Sequence, residues 1–296
     1  MIGWFHEKGD GVVEPIWVET VRRSAPFTME QEHGHAAYEV YYLAEGRRRY
    51  FIRDQTYRIE AGTLVFIDRF ELHRTLDDGV AEHERILIQF TEQWLDRLTP
   101  EERRWVYLPF DGGGSLLRLS MRERGYAEDL LRRMAKEWRE RAEGYELCLR
   151  ALFVQLFVYI GRLLRGRREQ EDAGEQPAHP RIAEVARYVA ERCAAQAAGK
   201  FDDAEDGGAV RLAAVARRFG LSPYYLSRAF RRETGFTFTE YVSAVRLKEA
   251  QRLLRETDAR VVDVAAAVGY RNLSHFGRAF RRFAGCSPLQ YRKSYR

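Results

Sequence analysis

LAAVARRFGLSPYYLSRAFRRETG, at residues 212–235, returns further along the chain in altered form as VDVAAAVGYRNLSHFGRAFRRFAG, at residues 262–285. Gly220 aligns with Gly269, and the tetrapeptide AFRR occurs at the corresponding place in both stretches. Internal similarity of this kind indicates that one supersecondary unit is used twice. The repeat therefore decides the fold of the last third of the chain.

Each copy has the sequence pattern of a helix-turn-helix. A short first helix, predicted at 212–219 and at 262–268, ends next to a glycine that can adopt the left-handed conformation. In the first copy Ser222 and Pro223 follow, and serine as N-cap before proline is a strong start signal for a second helix. Such a unit places its second helix in the major groove of DNA.

The second helix of each copy is expected to bury one apolar face. The spacing of Leu226 and Phe230 in the first copy predicts this face. The corresponding residues of the second copy are Phe276, Phe280 and Phe283.

The opposite face of each second helix carries hydroxyls and arginines. Arginine can bond guanine bidentately, hydroxyls bond bases or phosphates, and further arginines neutralise the backbone. Arginine-rich faces are usually only solvated, but here the same face occurs twice behind the same glycine turn. Arg228 and Arg278 are predicted to contact bases, and the other arginines to include backbone contacts. The predicted DNA-binding residues are Tyr224, Ser227, Arg228, Arg231, Arg232, Ser274, Arg278, Arg281 and Arg282.

The charge distribution agrees with this reading. Residues 176–296 carry 22 Lys and Arg against 12 Asp and Glu, whereas the preceding residues carry 27 against 32. An acidic front joined to a basic back indicates that only the back meets a polyanion.

The second copy also resembles a known family. It reads GYRNLSHF at 269–276, then Phe280 and Arg281, then GCSP at 285–288, and ends with Tyr291 and Arg292. This order is similar to the pattern G-F-x-[DN]-x-S-x-F, continued to S-P-x-x-[YF]-R, of the AraC/XylS transcriptional regulators. The resemblance runs from about residue 181 to residue 292. It implies two helix-turn-helix units on double-stranded DNA, joined by a long helix at 241–257, with RNA polymerase as a candidate partner.

Two features depart from the family pattern. Gly277 stands where some members have a side chain that touches bases, which makes Arg278 and Ser274 more important for readout. The stretch AAQAAGKFDDAEDGGAV, at 194–210, is longer and more acidic than the usual connection, and we interpret it as a surface loop.

The N-terminal part of the chain is predicted to form short strands. Segments 40–43, 50–52, 63–67 and 86–90 are rich in β-branched and aromatic residues and are separated by glycine- and aspartate-containing turns. Their spacing predicts an antiparallel sandwich or barrel. Helical periodicity then begins near Leu116 and gives two amphipathic helices broken near Gly144. The second helix is so apolar that its surface must be covered, either by packing on the barrel or by a second subunit in a homodimer.

The strands carry a set of chemically active side chains. His33, His35 and Glu39 fit the first cupin motif, HxHx3Ex6G, and His73 lies in a stretch similar to the second, with Asp68, Phe70 and Asp77 in place of its proline, glycine and asparagine. The resemblance implies a cupin-like barrel in which these four residues bind a small-molecule effector, such as a sugar. His33, His35, Glu39 and His73 are also a sensible N/O ligand set for a divalent metal, although no cofactor is expected.

The remaining sequence features indicate the cellular location and the domain organisation of the protein. The chain has three widely spaced cysteines, which fit a reducing compartment. Its most apolar run, 151–160, is shorter than the ~20 residues that a membrane span needs. We therefore expect a cytoplasmic protein without a membrane partner. We predict a multidomain α+β protein whose N-terminal antiparallel β-barrel and helical hairpin precede an all-α domain. The predicted ranges are 1–115 for the effector-sensing barrel, 116–165 for the hairpin, 166–180 for the linker and 181–296 for the DNA-binding domain.

These features predict an effector-controlled, sequence-specific transcriptional regulator rather than an enzyme. The alternatives are a metal-dependent cupin enzyme fused to a DNA-binding module, and a DNA-architectural protein that responds to no effector.

Overall fold

The computed structural model describes residues 14–25, 35–111, 116–168, 179–199 and 210–294. Its front part contains antiparallel strands, as predicted. They are β1 (Ile16–Arg23), β2 (Tyr38–Glu45), β3 (Arg47–Ile52), β4 (Gln55–Glu60), β5 (Thr63–Ile67), β6 (His73–Leu76), β7 (His83–Phe90) and β8 (Leu116–Arg118).

The strands form two facing sheets. One has the order β1-β7-β2-β5-β8 and the other β4-β3-β6, and every pairing is antiparallel. Apolar side chains from both sheets, including Tyr41, Tyr50, Val65 and Leu87, pack between them. Because no hydrogen-bonded strand pair joins the two sheets within the described residues, the predicted barrel is an open one.

Helices cover the outer face of the five-stranded sheet. Alternate residues of β2, among them Val40 and Tyr42, point away from the barrel interior into this helical layer. Both faces of β2 are therefore buried, which explains its almost continuous apolar sequence. The helices are α1 (Glu92–Leu95), α2 (Pro100–Tyr107), α3 (Met121–Glu140) and α4 (Tyr145–Arg168).

The long apolar helix α4 forms the predicted hairpin with α3 around Gly144. The predicted start of the hairpin near Leu116 is wrong, because residues 116–118 pair with β5 as strand β8 and α3 begins at Met121. By length and composition, residues 145–167 could cross a membrane, because the helix extends well beyond the apolar run at 151–160. Its apolar side chains nevertheless contribute to the core under the five-stranded sheet, where Phe153 and Phe157 are fully buried.

The back of the chain is helical. Its helices are α5 (Pro180–Ala197), α6 (Leu212–Arg218), α7 (Pro223–Thr234), α8 (Phe238–Glu256), α9 (Val261–Ala267), α10 (Leu273–Ala284) and α11 (Pro288–Ser294). The pairs α6–α7 and α9–α10 are the two predicted helix-turn-helix units, and α8 joins them. Helix α8 begins three residues before the predicted 241 because Thr237 and Glu240 form a capping box.

The interpretation of 194–210 as a surface loop is wrong for its first residues. Helix α5 continues through Ala197, and Cys193 and Ala197 are buried against the helix-turn-helix units. The alanine-rich sequence propagates the helix, and these small side chains fill its contact face. Residues 200–209 lie outside the described part of the chain.

The outer face of the three-stranded sheet packs against the helical domain. Phe51 on β3 points away from the barrel interior and contacts Phe236 and Tyr241, with ring centroids 5.6 and 5.9 Å apart. It lies in the same core cluster as residues of α5, α6 and α7. The two predicted domains therefore share a continuous apolar interface.

Candidate DNA interface and effector site

The second helix of each unit, α7 or α10, begins at a side-chain cap and ends at a left-handed glycine. Ser222 accepts a hydrogen bond from the Tyr225 backbone N–H at 3.2 Å, as the Ser-Pro start signal predicted. Asn272 caps α10 in the same way, from His275 at 2.9 Å, although the sequence analysis did not identify this cap. The two recognition helices are thus built alike despite different cap residues.

The structure separates the faces of α7 and α10 as predicted. Leu226, Phe230, Phe276 and Phe280 are fully buried, and Phe283 is half-buried between the two core clusters of the domain. All nine predicted DNA-binding side chains lie on the exposed face: Tyr224, Ser227, Arg228, Arg231, Arg232, Ser274, Arg278, Arg281 and Arg282.

The exposed faces of the two helices differ in chemistry. On α7, Arg228 donates to the Tyr224 hydroxyl at 2.9 Å and its guanidinium lies 5.6 Å from that ring, so the two side chains hold each other in place. At the start of α10 the exposed Leu273 offers no polar group, and Gly277 has no side chain. The first unit therefore presents more hydrogen-bonding groups than the second.

A buried polar cluster lies at one end of the barrel interior. His35, Glu39 and His73 each direct one ligand atom to the same point, and these atoms lie within 4.8 Å of one another. The juxtaposition of these three side chains was predicted from the sequence. The fourth predicted member, His33, lies outside the described residues.

Glu39 is the centre of this cluster. It accepts hydrogen bonds from the Tyr50 hydroxyl and from the Gln89 amide, both at 2.9 Å. Burial alone would raise the pKa of Glu39, but His73, the His35 imidazole and Gln89 outweigh it and hold the pKa well below its usual range. The carboxylate is therefore ionised at neutral pH despite its burial.

The two imidazoles are oriented by backbone carbonyls. His35 Nδ1 donates to the Ala37 carbonyl at 2.8 Å, and His73 Nδ1 donates to the Glu71 carbonyl at 2.7 Å. Burial lowers the pKa of His73, which favours its neutral form, and in that form the Nε2 atom of His73 is an acceptor. This atom lies 3.8 Å from the Glu39 carboxylate. The Nε2 atom of His35 lies 3.2 Å from the same carboxylate and donates a hydrogen bond to it.

The Glu39 carboxylate and the His73 Nε2 atom are acceptors in one buried place, and they attract a group that brings protons or positive charge. A hydroxyl of a ligand would satisfy this chemistry by donating to them. A divalent cation also fits the donor types, and carbonyl-bound Nδ1 atoms are usual in histidines that bind metals. Ligands of one Zn²⁺ ion lie about 3.4 Å apart, so the cluster would have to contract slightly around an ion.

Replacement of Glu39 by alanine is expected to destabilise the barrel. Tyr50 and Gln89 would each lose a buried acceptor, at about 1–3 kcal/mol for each group left unsatisfied. Urea unfolding followed by tryptophan fluorescence measures this, because every tryptophan of the chain precedes residue 140. Glu39→Gln keeps an amide oxygen as acceptor and should lose less. An unchanged midpoint for Glu39→Ala would contradict a structural role of the carboxylate.

A five-residue segment connects this cluster to the helical domain. In residues 70–74, His73 faces the cluster and the other four contact the DNA-binding domain. Phe70 packs on Tyr291 with ring centroids 5.5 Å apart, and Glu71 lies 3.8 Å from the Lys248 ammonium. Leu72 joins the core of the first helix-turn-helix unit, and the Arg74 guanidinium donates to the carbonyl of Gly235 at the end of α7.

Further hydrogen bonds flank this segment. The Phe70 backbone N–H donates to the His35 carbonyl at 2.7 Å, so both cluster histidines are tied to residues that touch the DNA-binding domain. Thr56 donates to the Glu233 carbonyl at 2.6 Å, and Arg49 bonds the Glu233 carboxylate at 3.3 Å. The end of α7 is therefore held on the sheet by several independent contacts.

This interface between the sheet and the helical domain was not predicted from the sequence. One signal was available, since Tyr50, Phe51 and Ile52 are consecutive apolar residues in a strand whose side chains alternate between faces. Both faces of β3 had to be covered. A second signal is Phe70, a large apolar residue at the position where the cupin motif has glycine. In the structure its φ is +58°.

Comparisons with known proteins agree with this architecture. Residues 21–157 match the family model for an AraC-like ligand binding domain, and residues 215–294 match that for a helix-turn-helix domain. Together the two ranges cover more than half of the chain.

Individual relatives are also regulators. The HTH-type transcriptional activator RhaR of Yersinia pestis bv. Antiqua (strain Angola) is 24% identical over 274 residues, which cover 89% of this chain and 85% of that protein. An uncharacterized HTH-type transcriptional regulator, YtdP, of Bacillus subtilis (strain 168) is 42% identical over 82 residues, but these cover 28% of this chain and 11% of that protein. Among solved structures, the DNA-binding domain of AdpA in complex with a target DNA is 32% identical, with 38% of this chain and 91% of that chain covered and a TM-score of 0.32.

The chain belongs to the AraC family of transcriptional regulators, with an N-terminal ligand-binding domain and a C-terminal helix-turn-helix DNA-binding domain.

Proposed function

We propose that the nine exposed residues of α7 and α10 are the DNA contacts, and that the effector binds in the barrel at the His35–Glu39–His73 cluster. His33, predicted as a fourth member, is included in the proposal from its sequence position. The observation that carries the proposal is segment 70–74, in which a cluster residue lies among four residues that contact the DNA-binding domain.

The segment provides a physical route from effector to DNA. A ligand that moves His73 displaces β6, and Arg74 then pulls on the Gly235 carbonyl at the end of α7. The neighbouring Phe70 acts on the second unit through Tyr291. A ligand shifts such an equilibrium only by the difference in its affinity for the two arrangements. The angle between the two recognition helices is the property that we expect to change.

The decisive experiment couples ligand binding to DNA binding. A thermal-shift screen of sugars and other small metabolites identifies compounds that raise the unfolding midpoint of the full chain. Each compound is then added to a DNA-binding titration on an operator selected from random sequence. We expect an effector to change the operator affinity, and His73→Ala to abolish both responses. A ligand that binds elsewhere would remain active on His73→Ala, which would refute the proposed site.

We also propose that the chain forms a homodimer in the cytoplasm through α4. The outer face of this helix carries a stripe of exposed or half-exposed apolar residues, Leu147, Ala151 and Val158, at helical spacing. Exposed apolar side chains on one helix face are typical of an interface, although the exposed Gln155 interrupts this stripe between Ala151 and Val158. The dimer would place four helix-turn-helix units on DNA, and RNA polymerase is the proposed partner at the promoter.

Ala151→Glu is expected to dissociate this dimer. The substitution introduces a charge at the middle of the stripe, where a partner would have to desolvate it. Analytical ultracentrifugation of the full chain measures the change in mass. Arg139→Glu on α3, at a side chain that is also exposed, is the matched control and should leave the dimer intact. Equal masses for wild type and Ala151→Glu would exclude α4 as the interface.

The convergence of His35, Glu39 and His73 also favours a second candidate, a metal-dependent cupin enzyme carrying a DNA-binding module. Metal analysis of the purified protein, with His35→Ala and His73→Ala, distinguishes the two candidates. Metal that is lost in both variants, together with turnover of a test substrate, would support the enzyme. Stoichiometric metal without turnover would leave regulation as the function.

A further inference from the structure

The turn of the second helix-turn-helix unit is enclosed by other helices, whereas the turn of the first unit is open. Gly269 has a φ of +84°, and a methyl group on it would lie 3.0 Å from Gln196 Nε2 and 3.1 Å from the Arg246 guanidinium carbon. The corresponding Gly220 has a φ of +63°, and among the described residues no neighbouring atom lies within 4 Å of a methyl group placed there. Both turns use the left-handed conformation of glycine, but only the second one is in close contact with α5 and α8.

Helix α5 extends across both units. Its buried residues Val185 and Val189 belong to the core of the first unit, whereas Ala197 belongs to the core of the second. Gln196, which contacts Gly269, lies in the same last turn of α5. The part of α5 that was not predicted as helix is therefore the part that reaches the second unit.

Arg246 of α8 lies between α5 and the second turn. Its guanidinium packs against Gly269 and hydrogen-bonds the thiol of Cys193, which is 1% exposed. Because a guanidinium is planar and its donors have fixed directions, it holds its neighbours in one geometry. Arg246 therefore connects the two long helices to the turn that precedes α10.

A hydrogen bond between α8 and the second unit adds to this contact. The Ser243 hydroxyl lies 3.0 Å from the Tyr270 hydroxyl. The Tyr270 ring in turn packs on Phe276 and His275 near the start of α10, with ring centroids 5.4 and 5.6 Å apart. The joining helix is thus connected through one side chain to the second recognition helix.

The hydroxyl of Tyr270 is a departure from the family pattern. The AraC/XylS pattern has phenylalanine after the glycine of this turn, and the first unit has Leu221 at the corresponding position. Neither side chain can bond a serine. The bond to Ser243 therefore distinguishes the second unit of this chain both from the pattern and from the first unit.

We propose that a clamp on the second turn fixes the direction of α10 relative to α7, and that it makes the protein selective for the spacing of two half-sites on DNA. The members of the clamp are Gln196, Ser243, Arg246 and Tyr270. This inference rests on the proposed DNA contacts of α7 and α10 and names the residues that set the angle between these helices.

The geometry of DNA explains why a fixed angle gives selectivity for spacing. Two recognition helices on one face of DNA enter major-groove segments about one helical turn, or roughly 10 base pairs, apart. One added base pair rotates a half-site by about 36° and moves it by about 3.4 Å. A rigid pair of helices then loses the contacts of one unit, whereas a pair that can adjust keeps part of them.

The test measures how the full chain binds three DNA duplexes in the absence of effector. One duplex carries an operator selected from random sequence, and the other two have one base pair added or removed between its half-sites, which a hydroxyl-radical footprint locates. Fluorescence anisotropy gives each dissociation constant at one salt concentration. We expect the wild type to bind the altered duplexes at least about tenfold more weakly, because one unit loses base contacts.

Two substitutions weaken the clamp without adding bulk. Tyr270→Phe removes only the hydroxyl that bonds Ser243, and Arg246→Met removes the guanidinium but keeps the length of the side chain. We expect each to reduce the spacing penalty by about 2- to 10-fold, the factor that corresponds to the net contribution of one hydrogen bond. The affinity for the unaltered operator should change less than this.

The two turn glycines provide a matched pair of further variants. Gly269→Ala and Gly220→Ala both place a Cβ on a left-handed residue, but only the first places it against Gln196 and Arg246. Gly269→Ala should reduce the spacing penalty, and Gly220→Ala should retain it. Circular dichroism shows whether each variant folds, and if Gly269→Ala does not fold, Tyr270→Phe carries the test.

The outcomes distinguish the clamp from the proposed function. If Tyr270→Phe and Arg246→Met weaken binding to all three duplexes by the same factor, these side chains only stabilise the domain, and the clamp is refuted while the DNA contacts stand. Equal affinity of the wild type for the three duplexes would contradict both the clamp and the simultaneous use of the two recognition helices.

Discussion

Arg228→Ala should reduce the preference for operator over random DNA by roughly 1–3 kcal/mol, about 5- to 150-fold, because a bidentate contact to a base is worth that much discrimination. Arg228 is exposed on α7 and is held by the Tyr224 hydroxyl at 2.9 Å, so little side-chain freedom is lost when it binds. The measurement is a pair of dissociation constants, for a selected operator and for a scrambled sequence, at one salt concentration.

Two controls make this result specific. Arg231→Ala should weaken binding to both DNAs equally and reduce the salt slope by about 1, as expected of a phosphate contact. Tyr224→Phe keeps the ring but removes the hydroxyl that holds Arg228, and should give a smaller loss of discrimination. If Arg228→Ala lowers affinity for both DNAs by the same factor, its role as a base contact is wrong.

The same substitution in the second unit is expected to have a smaller effect on discrimination. Around Arg278, the neighbouring Leu273 and Gly277 offer no polar side chain, so fewer contacts specify the base there. Arg278→Ala should therefore lose discrimination, but less than Arg228→Ala. A larger loss at Arg278 would reverse the proposed division between the two units.

Phe51→Ala should uncouple the two domains. Phe51 is fully buried between Phe236 and Tyr241, and removing such a ring costs about 3–5 kcal/mol. The loss falls on the domain interface, since Phe51 belongs to the core cluster of the helical domain and not to the barrel interior.

Two optical probes detect this uncoupling. Tryptophan fluorescence reports the front of the chain alone, because residues 181–296 contain no tryptophan, whereas circular dichroism at 222 nm reports all helices. In the wild type the two thermal transitions should coincide, and in Phe51→Ala they should separate. The control is Phe66→Ala, at a buried ring in the core under the five-stranded sheet. This substitution should destabilise the barrel but leave the domain interface intact, so the two transitions should still coincide. Coincident transitions in Phe51→Ala would mean that the interface does not couple the domains.

The sequence predicted the elements that depend on local chemistry. The repeat, the Ser222–Pro223 start and the apolar periodicity of α7 and α10 are local signals, and the structure confirms them. The pairing of His35 and Glu39 with His73 was predicted through a motif, because that juxtaposition requires two strands to meet. The extension of α5 over Cys193–Ala197 was missed, since alanine is compatible with both a helix and a loop in sequence reasoning.

The interface between the two domains could not be predicted in the same way. Arg74 and Gly235 are far apart in sequence, and no periodicity links a strand residue to the end of a distant helix.

Phe70 connects the effector cluster to the second helix-turn-helix unit, and this connection has a thermodynamic consequence. Its left-handed backbone is unfavourable for a residue with a side chain, by about 1–2 kcal/mol, and the contact with Tyr291 helps to maintain it. Thermodynamic linkage then works in both directions: if effector changes the affinity for operator by some factor, operator changes the affinity for effector by the same factor. In the proposed mechanism, the promoter therefore helps to set the effector concentration at which the protein responds, and two promoters of different affinity would give two thresholds for the same compound.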